Sequence, residues 1–120
     1  MFDVFFYKDK NGREPVSEYL QELDSRTDKD SRIKVSKIYD YIDYLRATGL
    51  QAREPYAKYL GGGIWELRPI RDRILYAAWD GQRFILLHHF MKKTQKTPPR
   101  EMEQAKRNLA DYRERSRNNE

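Results

Sequence analysis

The first half of the chain combines one aromatic segment with two stretches of helical periodicity. Residues 2–7 are rich in aromatic side chains and predict a short strand. Pro15 suits a first helical turn, and the apolar residues after it recur at helical spacing: Val16, Tyr19, Leu20 and Leu23. A second, longer helix is predicted to begin at a cap formed by Thr27 or Asp28 and to end at Gly49. Its apolar side chains also recur at near-helical spacing: Ile33, Ile38, Tyr41, Ile42 and Leu45.

The second half changes to the shorter period of strands. Residues 64–68 alternate between two faces, and residues 69–72 are predicted to reverse the chain. Residues 73–79 form the next predicted strand, which Asp80-Gly81 ends with a strong hairpin signal. Residues 83–91 are nearly continuous in apolar side chains, as in a central strand buried on both faces. Three consecutive strands joined by short turns predict an antiparallel meander.

A charged helix is predicted to close the chain. It follows Pro98-Pro99 and covers residues 100–115 with one narrow apolar stripe, formed by Met102, Ala105, Leu109 and Tyr112. The predicted order is strand, two helices, three strands and a helix, which indicates the α+β class. We therefore expect one domain over residues 1–120, with a small antiparallel sheet made of the N-terminal strand plus the meander. The two N-terminal helices and the last helix are expected to pack against that sheet.

Composition narrows the class of protein. The 120 residues are 38% hydrophobic and 13% aromatic, which argues against wholesale disorder. No apolar run approaches the roughly 20 residues that a membrane helix needs, and no signal peptide is recognisable. Cysteine is absent, which removes disulfides, thiolate zinc sites and cysteine nucleophiles. We expect a cytoplasmic protein that has no membrane partner and needs no cofactor.

The net charge of +5 is concentrated near the C-terminus. Between Lys92 and Arg117, nine basic residues face only four acidic ones, so this stretch carries the whole excess. A basic region of this kind is typical of proteins that bind a polyanion, most often nucleic acid. The alternative is a solvated helix that only keeps the protein soluble. The candidate RNA contacts are basic residues of this region: Lys96, Arg100, Lys106, Arg107 and Arg113.

Two familiar kinds of site are not favoured. The glycine run at 61–63 precedes a strand instead of a helix, so it lacks the context of a phosphate-binding loop and is expected to be a plain flexible loop. His88 and His89 are adjacent on a strand and therefore point to opposite faces, so they cannot chelate one ion. With no cysteine, no metal site is predicted. A role for either histidine in proton transfer stays open.

The more informative constellation is cationic. Glu66 and Arg68 share one face of a strand, and Arg73 begins the adjacent strand across a four-residue turn. Lys92 and Lys93 lie just beyond the third strand of the meander. The sequence therefore predicts a cluster of positive side chains around one carboxylate at one end of the sheet. The alternative is an ordinary surface ion-pair network, in which each pair contributes only ~0–1 kcal/mol.

Such a cluster suits cleavage of RNA by its own 2′-hydroxyl group. That reaction needs no metal, but it needs a base, an acid for the departing 5′-oxygen, and cations that stabilise the pentacoordinate phosphate. Glu66 could be the base, although neighbouring cations favour its charged form and weaken it in that role. Lys92 or Lys93 could be the acid or, with a lowered proton affinity, the base. The residues alone leave this assignment open.

Three segments carry a resemblance to a known family. They read Ile-Trp-Glu-Leu-Arg at 64–68, Arg-Ile-Leu-Tyr at 73–76, and Leu-Leu-His-His-Phe-Met-Lys-Lys-Thr-Gln-Lys-Thr-Pro at 86–98. Glu101 and Ala105 continue the pattern of a proline-capped terminal helix. Over nearly its whole length, the chain resembles the HigB branch of the RelE/ParE toxin superfamily. Each pair of residues in these segments is a weak signal, but their combination is specific.

The resemblance implies a toxin of a bacterial type II toxin–antitoxin module. Such toxins are ribosome-dependent endoribonucleases that cut mRNA in the decoding site, and a helix-turn-helix antitoxin of the HigA type neutralises them. The positions that match the family's phosphate-binding face are Glu66, Arg68, Arg73, Lys92 and Lys93. Several superfamily members have a tyrosine or histidine near the C-terminus in the active site. Here the last helix extends past that point instead, which makes His89 a reserve candidate.

Two other functions fit the same sequence. A ParE-like protein would bind DNA gyrase without cutting RNA, because one fold supports several functions. A non-catalytic module would bind RNA or DNA through the basic helix at 100–115, with salt-dependent affinity and no turnover. Whether the protein is a nuclease or a gyrase inhibitor, we expect an antitoxin to cover an apolar patch on its first two helices or on its last helix.

Overall fold

The computed structural model describes residues 1–118, which form five strands, three α-helices and one short 3-10 helix. In chain order the elements are β1 (Asp3–Phe6), α1 (Pro15–Ser25), α2 (Lys29–Thr48), the 3-10 turn (Gly49–Gln51), β2 (Ala57–Gly61), β3 (Ile64–Leu67), β4 (Asp72–Ala78), β5 (Arg83–Met91) and α3 (Pro99–Asn118). The predicted α+β class is confirmed. None of the helices within these residues combines the length and apolarity that crossing a membrane requires.

The strands form one sheet in the order β1-β5-β4-β3-β2. The pairs β3–β4 and β4–β5 are antiparallel, which confirms the predicted meander. β1 pairs with β5 in parallel, from Asp3 opposite Arg83 to Phe6 opposite Leu86, so the expectation of a wholly antiparallel sheet is wrong. The side-chain pattern of a strand sets which residues face the core, but it does not set the direction of the strand. Only the short turns of the meander constrain direction.

The residues before the meander contain a strand that the sequence pattern does not predict. β2 pairs with β3 as an antiparallel hairpin, and the two are joined at Gly62 and Gly63. The expectation of a plain flexible loop at 61–63 is therefore wrong. All three glycines have positive φ, between +62° and +97°, the backbone region in which glycine carries no steric penalty. β2 lies at the sheet edge with Lys58 and Tyr59 exposed, so it lacks a continuous apolar pattern.

The sheet lies between two helical layers. α1 and α2 cover one face, with a core that includes Leu20, Ile38, Leu45, Ile74 and Tyr76. α3 covers the other face through its predicted apolar stripe, against Ile64, Leu75, Ile85 and Leu87. Neighbouring strand residues therefore belong to different cores, and β4 is buried on both sides except at its last residue.

The helix ends follow from particular side chains. Asp28, not Thr27, caps α2: its carboxylate accepts a hydrogen bond of 2.9 Å from the Ser31 backbone N–H. Gly49 ends α2 with φ +57°, and a Cβ built there would lie 2.6 Å from the Phe2 ring, so both backbone and space require glycine. The sequence pattern places Ile33 on the apolar face of α2, and this prediction is wrong because 44% of its surface is exposed.

Candidate active site

Three charged side chains meet on the α3 face of the sheet, where β3 ends and β4 begins. Glu66 lies near the end of β3, Arg68 follows that strand directly, and Arg73 is the second residue of β4. The reversal at 69–72 that joins the two strands is closed by a hydrogen bond of 3.0 Å from the Asp72 N–H to the Pro69 carbonyl. This tight turn confirms the predicted juxtaposition of Arg68 and Arg73.

Glu66 is the centre of the cluster. Only 4% of its surface is exposed. Its Oε1 lies 3.6 Å from Arg68 Nε and 3.9 Å from Arg73 Nε, which are ion-pair distances longer than a hydrogen bond. The Thr97 hydroxyl donates a hydrogen bond of 2.7 Å to the other oxygen, Oε2. The carboxylate therefore holds two guanidinium groups side by side and ties them to the segment that leads into α3.

Arg73 is fixed in place by the backbone around it. Its Nη1 donates to the carbonyl oxygens of Ile70, at 3.0 Å, and Asp72, at 2.8 Å. Ile70 itself has φ +55°, a strained conformation for a β-branched residue. Burial lowers the pKa of Arg73 from its usual value, although an arginine stays protonated in proteins. Nη1 therefore fastens the turn between β3 and β4.

Arg68 is held less completely. Its Nη1 donates a hydrogen bond of 3.1 Å to the exposed carboxylate of Glu54. Its Nε is buried and has no hydrogen-bond partner among residues 1–118. A buried donor without an acceptor costs free energy, on the order of 1–3 kcal/mol. Glu66 Oε1 lies 3.6 Å from this nitrogen, so the attraction between the two charges offsets part of that cost.

The lysines border this cluster from the side of β5. Lys92, Lys93 and Lys96 line a narrow space together with Glu66 and Arg73. That space measures only about 10 Å³, roughly the volume that one water molecule needs. A wider groove of about 340 Å³ opens on the other side of Glu66, beside Arg68 and Lys96. A nucleotide would therefore reach Arg68 from the groove, whereas Arg73 borders the narrow space on the side of the lysines.

The two histidines lie on opposite faces, as predicted. His88 faces α3, where its Nε2 lies 2.7 Å from the Glu101 carboxylate. His89 faces α1 and α2, where its ring stacks on Tyr19 with centroids 3.6 Å apart. The structure therefore does not bring the reserve candidate His89 together with Glu66 and the arginines. The alternation of a strand indicated the separation, but not which histidine shares the face of the cluster.

Behind the cluster, Asp72 forms a buried polar network on the α1–α2 face. Its Oδ1 accepts a hydrogen bond of 2.7 Å from the Tyr19 hydroxyl and lies 3.0 Å from His89 Nε2. Lys34 Nζ lies 3.9 Å from the same oxygen. Burial acts to raise the pKa of Asp72, but the hydrogen bonds from His89 and Tyr19 outweigh it, so the pKa is lowered. The network ties α1 and α2 to the turn that holds Arg73.

The lowered pKa of Asp72 predicts a contribution to stability that depends on pH. It is fully present above the unfolded pKa of about 3.9 and is lost as the pH falls through the folded value. Comparison of the unfolding free energies of the wild type and Asp72→Asn between pH 3 and 7 measures it. We expect the difference between the two proteins to shrink below about pH 4. Exposed Asp43→Asn is the control, and a pH-independent difference for Asp72→Asn would contradict the interpretation.

The predicted RNA contacts separate into two groups. Lys96 lines the groove, and Lys106 and Arg113 approach the β2–β3 turn: a Cβ built on Gly62 would lie 3.3 Å from Lys106 Cε. Arg107 points elsewhere and donates to Gln104 at 2.8 Å. The Arg100 side chain is 82% exposed. The structure therefore brings three of the five to the side of the groove.

Two residues of this region do not follow from the sequence pattern. Thr97 bonds Glu66 across 31 positions of sequence, and no local pattern indicates such a contact. Lys58 lies directly opposite Glu66 in the β2–β3 ladder, and it was missed because β2 itself was missed. Within residues 1–118, histidine and carboxylate side chains form no group of three that would hold a metal ion.

Comparison with known proteins places most of the chain in one family. Residues 18–110 match the model of a family described as phage derived protein Gp49-like (DUF891). The match extends from α1 into α3. It includes Glu66, Arg68, Arg73, Lys92, Lys93 and Lys96. No curated protein in the comparison matches the chain.

Proposed function

The chain belongs to the phage-derived Gp49-like family, a RelE/HigB-like family of toxins in toxin–antitoxin systems, and from that membership we propose that it is an endoribonuclease that cuts mRNA on the ribosome. The proposal rests on the convergence of Arg68 and Arg73 on one carboxylate oxygen, at the side of an open groove that Arg68 lines. Two guanidinium groups fixed side by side can bind a phosphate and the charge that develops on it.

The proposed reaction uses the RNA's own 2′-oxygen as the nucleophile. This oxygen attacks the adjacent phosphorus as its proton passes to solvent water, and the bond from phosphorus to the 5′-oxygen breaks. The products are a 2′,3′-cyclic phosphate and a 5′-hydroxyl end. Arg68 and Arg73 stabilise the pentacoordinate phosphate, and Lys92 or Lys93 supplies the proton to the 5′-oxygen. No metal or cofactor enters the proposed step.

Glu66 is proposed primarily as a positioning residue. Its Oε2 already accepts a hydrogen bond from Thr97, and its Oε1 faces two guanidinium groups, which favour the charged carboxylate and weaken it as a base. Its main effect is to overcome the repulsion between Arg68 and Arg73, so that both remain at one phosphate site. This differs from the role of general base that the sequence suggested as one possibility.

The toxin family implies an antitoxin partner. We propose a helix-turn-helix antitoxin of the HigA type, with the ribosome and mRNA as the target in the cytoplasm. The basic residues near the C-terminus fit a ribosomal target, since ribosomal RNA is a dense polyanion.

Mapping of RNA 5′ ends after induction of the protein tests the proposal. We expect growth arrest together with new 5′-hydroxyl ends at defined positions of translated codons. Arrest with intact mRNA and gyrase-linked DNA damage would contradict it and favour the ParE-like alternative. Salt-dependent RNA binding without any cleavage on programmed ribosomes would favour a non-catalytic module instead.

A further inference from the structure

The groove beside Glu66 and Arg68 runs between the β2–β3 hairpin and α3. Its volume of about 340 Å³ lies near the lower end of the range for small-ligand sites, about 300–1,000 Å³. Leu60 from β2 and Met102 from α3 give it an apolar floor. Its remaining lining is polar or charged: Lys58, Glu66, Arg68, Gln95, Lys96 and Thr97. The only carboxylate among these residues, Glu66, is already engaged by the two arginines and Thr97.

Positive side chains continue along the same side of the molecule. Lys58 lies opposite Glu66 in the β-ladder, and Lys106 lies across the hairpin turn near Gly62. Arg113 follows seven residues after Lys106 on the same flank of α3, and its Nη2 is 3.8 Å from a Cβ built on Gly63. Lys58, Lys106 and Arg113 have no carboxylate within 4.0 Å among residues 1–118, so their charges are available to an anion.

The opposite flank of α3 differs. There Arg115 is paired with Asp111 at 2.8 Å, and Asp111 also accepts a hydrogen bond from Tyr7. Asn108 donates to the Leu87 carbonyl. Polar groups on that flank are thus used within the protein, whereas the hairpin flank carries free cations.

We propose that this groove binds the stretch of single-stranded RNA that flanks the cleaved phosphate, an inference that rests on the proposed function. One nucleobase lies on Leu60 and Met102, since a thioether makes favourable contacts with aromatic rings. The phosphates that follow it contact Lys58, Lys106 and Arg113. An apolar floor with a line of cations is the combination by which proteins hold single strands with little sequence readout.

Binding of a non-cleavable RNA tests the groove separately from catalysis. The probe is a fluorescent ten-nucleotide 2′-O-methyl RNA, which lacks the attacking hydroxyl, and binding is followed by anisotropy over a range of salt concentrations. Lys58→Ala and Lys106→Ala are each expected to weaken binding about 3–10-fold and to lower the salt dependence, log Kd against log[salt], by about 0.7. Arg107→Ala removes a cation from the opposite flank of the same helix, beside Asn108 and Asp111. It is the matched control and is expected to bind like the wild type.

A second measurement addresses the apolar floor. Probes in which one nucleotide at a time is abasic are expected to bind more weakly at a single position, which marks the base held by Leu60 and Met102. Equal weakening by Lys106→Ala and Arg107→Ala would overturn the proposal, because only net charge would then matter. The proposal would also be overturned if Lys58→Ala and Lys106→Ala bound the RNA with the affinity of the wild type, even if mRNA cleavage is observed. If the variants show the predicted binding results but the wild type does not cleave mRNA, only the proposed nuclease function would be overturned.

Discussion

Arg68→Ala is expected to lower the rate of mRNA cleavage by about 10²–10³-fold, the usual effect of removing one preorganised donor from a developing oxyanion. The fold should be nearly unaffected. The side chain loses an ion pair with the exposed Glu54, and such pairs contribute about 0–1 kcal/mol. It also loses the longer contact of 3.6 Å with Glu66, a carboxylate that Arg73 still faces. The measurement is single-turnover cleavage on programmed ribosomes, with thermal unfolding followed in parallel.

A matched control for Arg68 lies on the other side of the molecule. Arg46 on α2 is also an arginine paired with an exposed carboxylate, Asp43 at 3.1 Å. Arg46→Ala should lose a similar small amount of stability and keep wild-type cleavage. Equal rates for the two alanine variants would contradict the assignment of Arg68 to the phosphate site.

Arg73 is a less selective test than the sequence suggested. From the sequence alone, Arg73→Ala should abolish activity and leave the fold intact. The side chain is only 6% exposed and binds the carbonyls of Ile70 and Asp72, so its loss also unfastens the turn between β3 and β4. Arg73→Lys keeps the charge but cannot make the paired guanidinium contacts. We expect it to fold and to cleave much more slowly than the wild type.

Glu66→Ala is expected to have the largest combined effect. Removing the carboxylate leaves the buried Arg73 without its ion-pair partner, next to an Arg68 that keeps only the exposed Glu54. Breaking a buried pair in this way costs about 3–5 kcal/mol. It also removes the acceptor of the Thr97 hydrogen bond. We expect a lower unfolding free energy and a loss of cleavage, measured by urea unfolding and by single-turnover kinetics.

Glu66→Gln separates positioning from base catalysis. The amide keeps the size of the side chain and an oxygen that can accept from Thr97, but it carries no charge to hold the two arginines. If Glu66 positions them, the variant loses cleavage and also binds 2′-O-methyl RNA differently, while its residual activity keeps the pH profile of the wild type. Unchanged RNA binding, together with loss of the ascending limb of the pH profile, would identify Glu66 as the base instead.

The sequence predicted the parts of the fold that local chemistry controls. Pro15, Asp28 and Gly49 are helix-end signals, and each one marks an end within one residue of the observed helix. Asp80 forms the expected turn, since its carboxylate accepts from the backbone N–H groups of Gln82 and Arg83. β2 was missed because its only fully buried residue is Ala57, so an edge strand with two exposed side chains shows no apolar period.

The sequence predicted which residues form the candidate site better than it predicted what each residue does. Arg68 and Arg73 are separated by a short turn, so their proximity follows from the strand pattern. The strand pattern does not show that both Glu66 oxygens are occupied, because Thr97 reaches Glu66 through a tertiary contact. The separation of Lys106 from Arg107 depends on where the apolar stripe of α3 docks. The sequence pattern predicts neither the β2–β3 hairpin beside α3 nor its distance from Lys106.

The most direct measurement is cleavage of an mRNA with a single 2′-deoxynucleotide on the 5′ side of the cut phosphate, at the position that the 5′-end mapping identifies. Without the 2′-oxygen, the two arginines would hold a phosphate that has no attacking group. We predict that programmed ribosomes and the wild-type protein leave this bond intact and still cut the all-ribose control. Cleavage of both RNAs at the same rate would contradict the account.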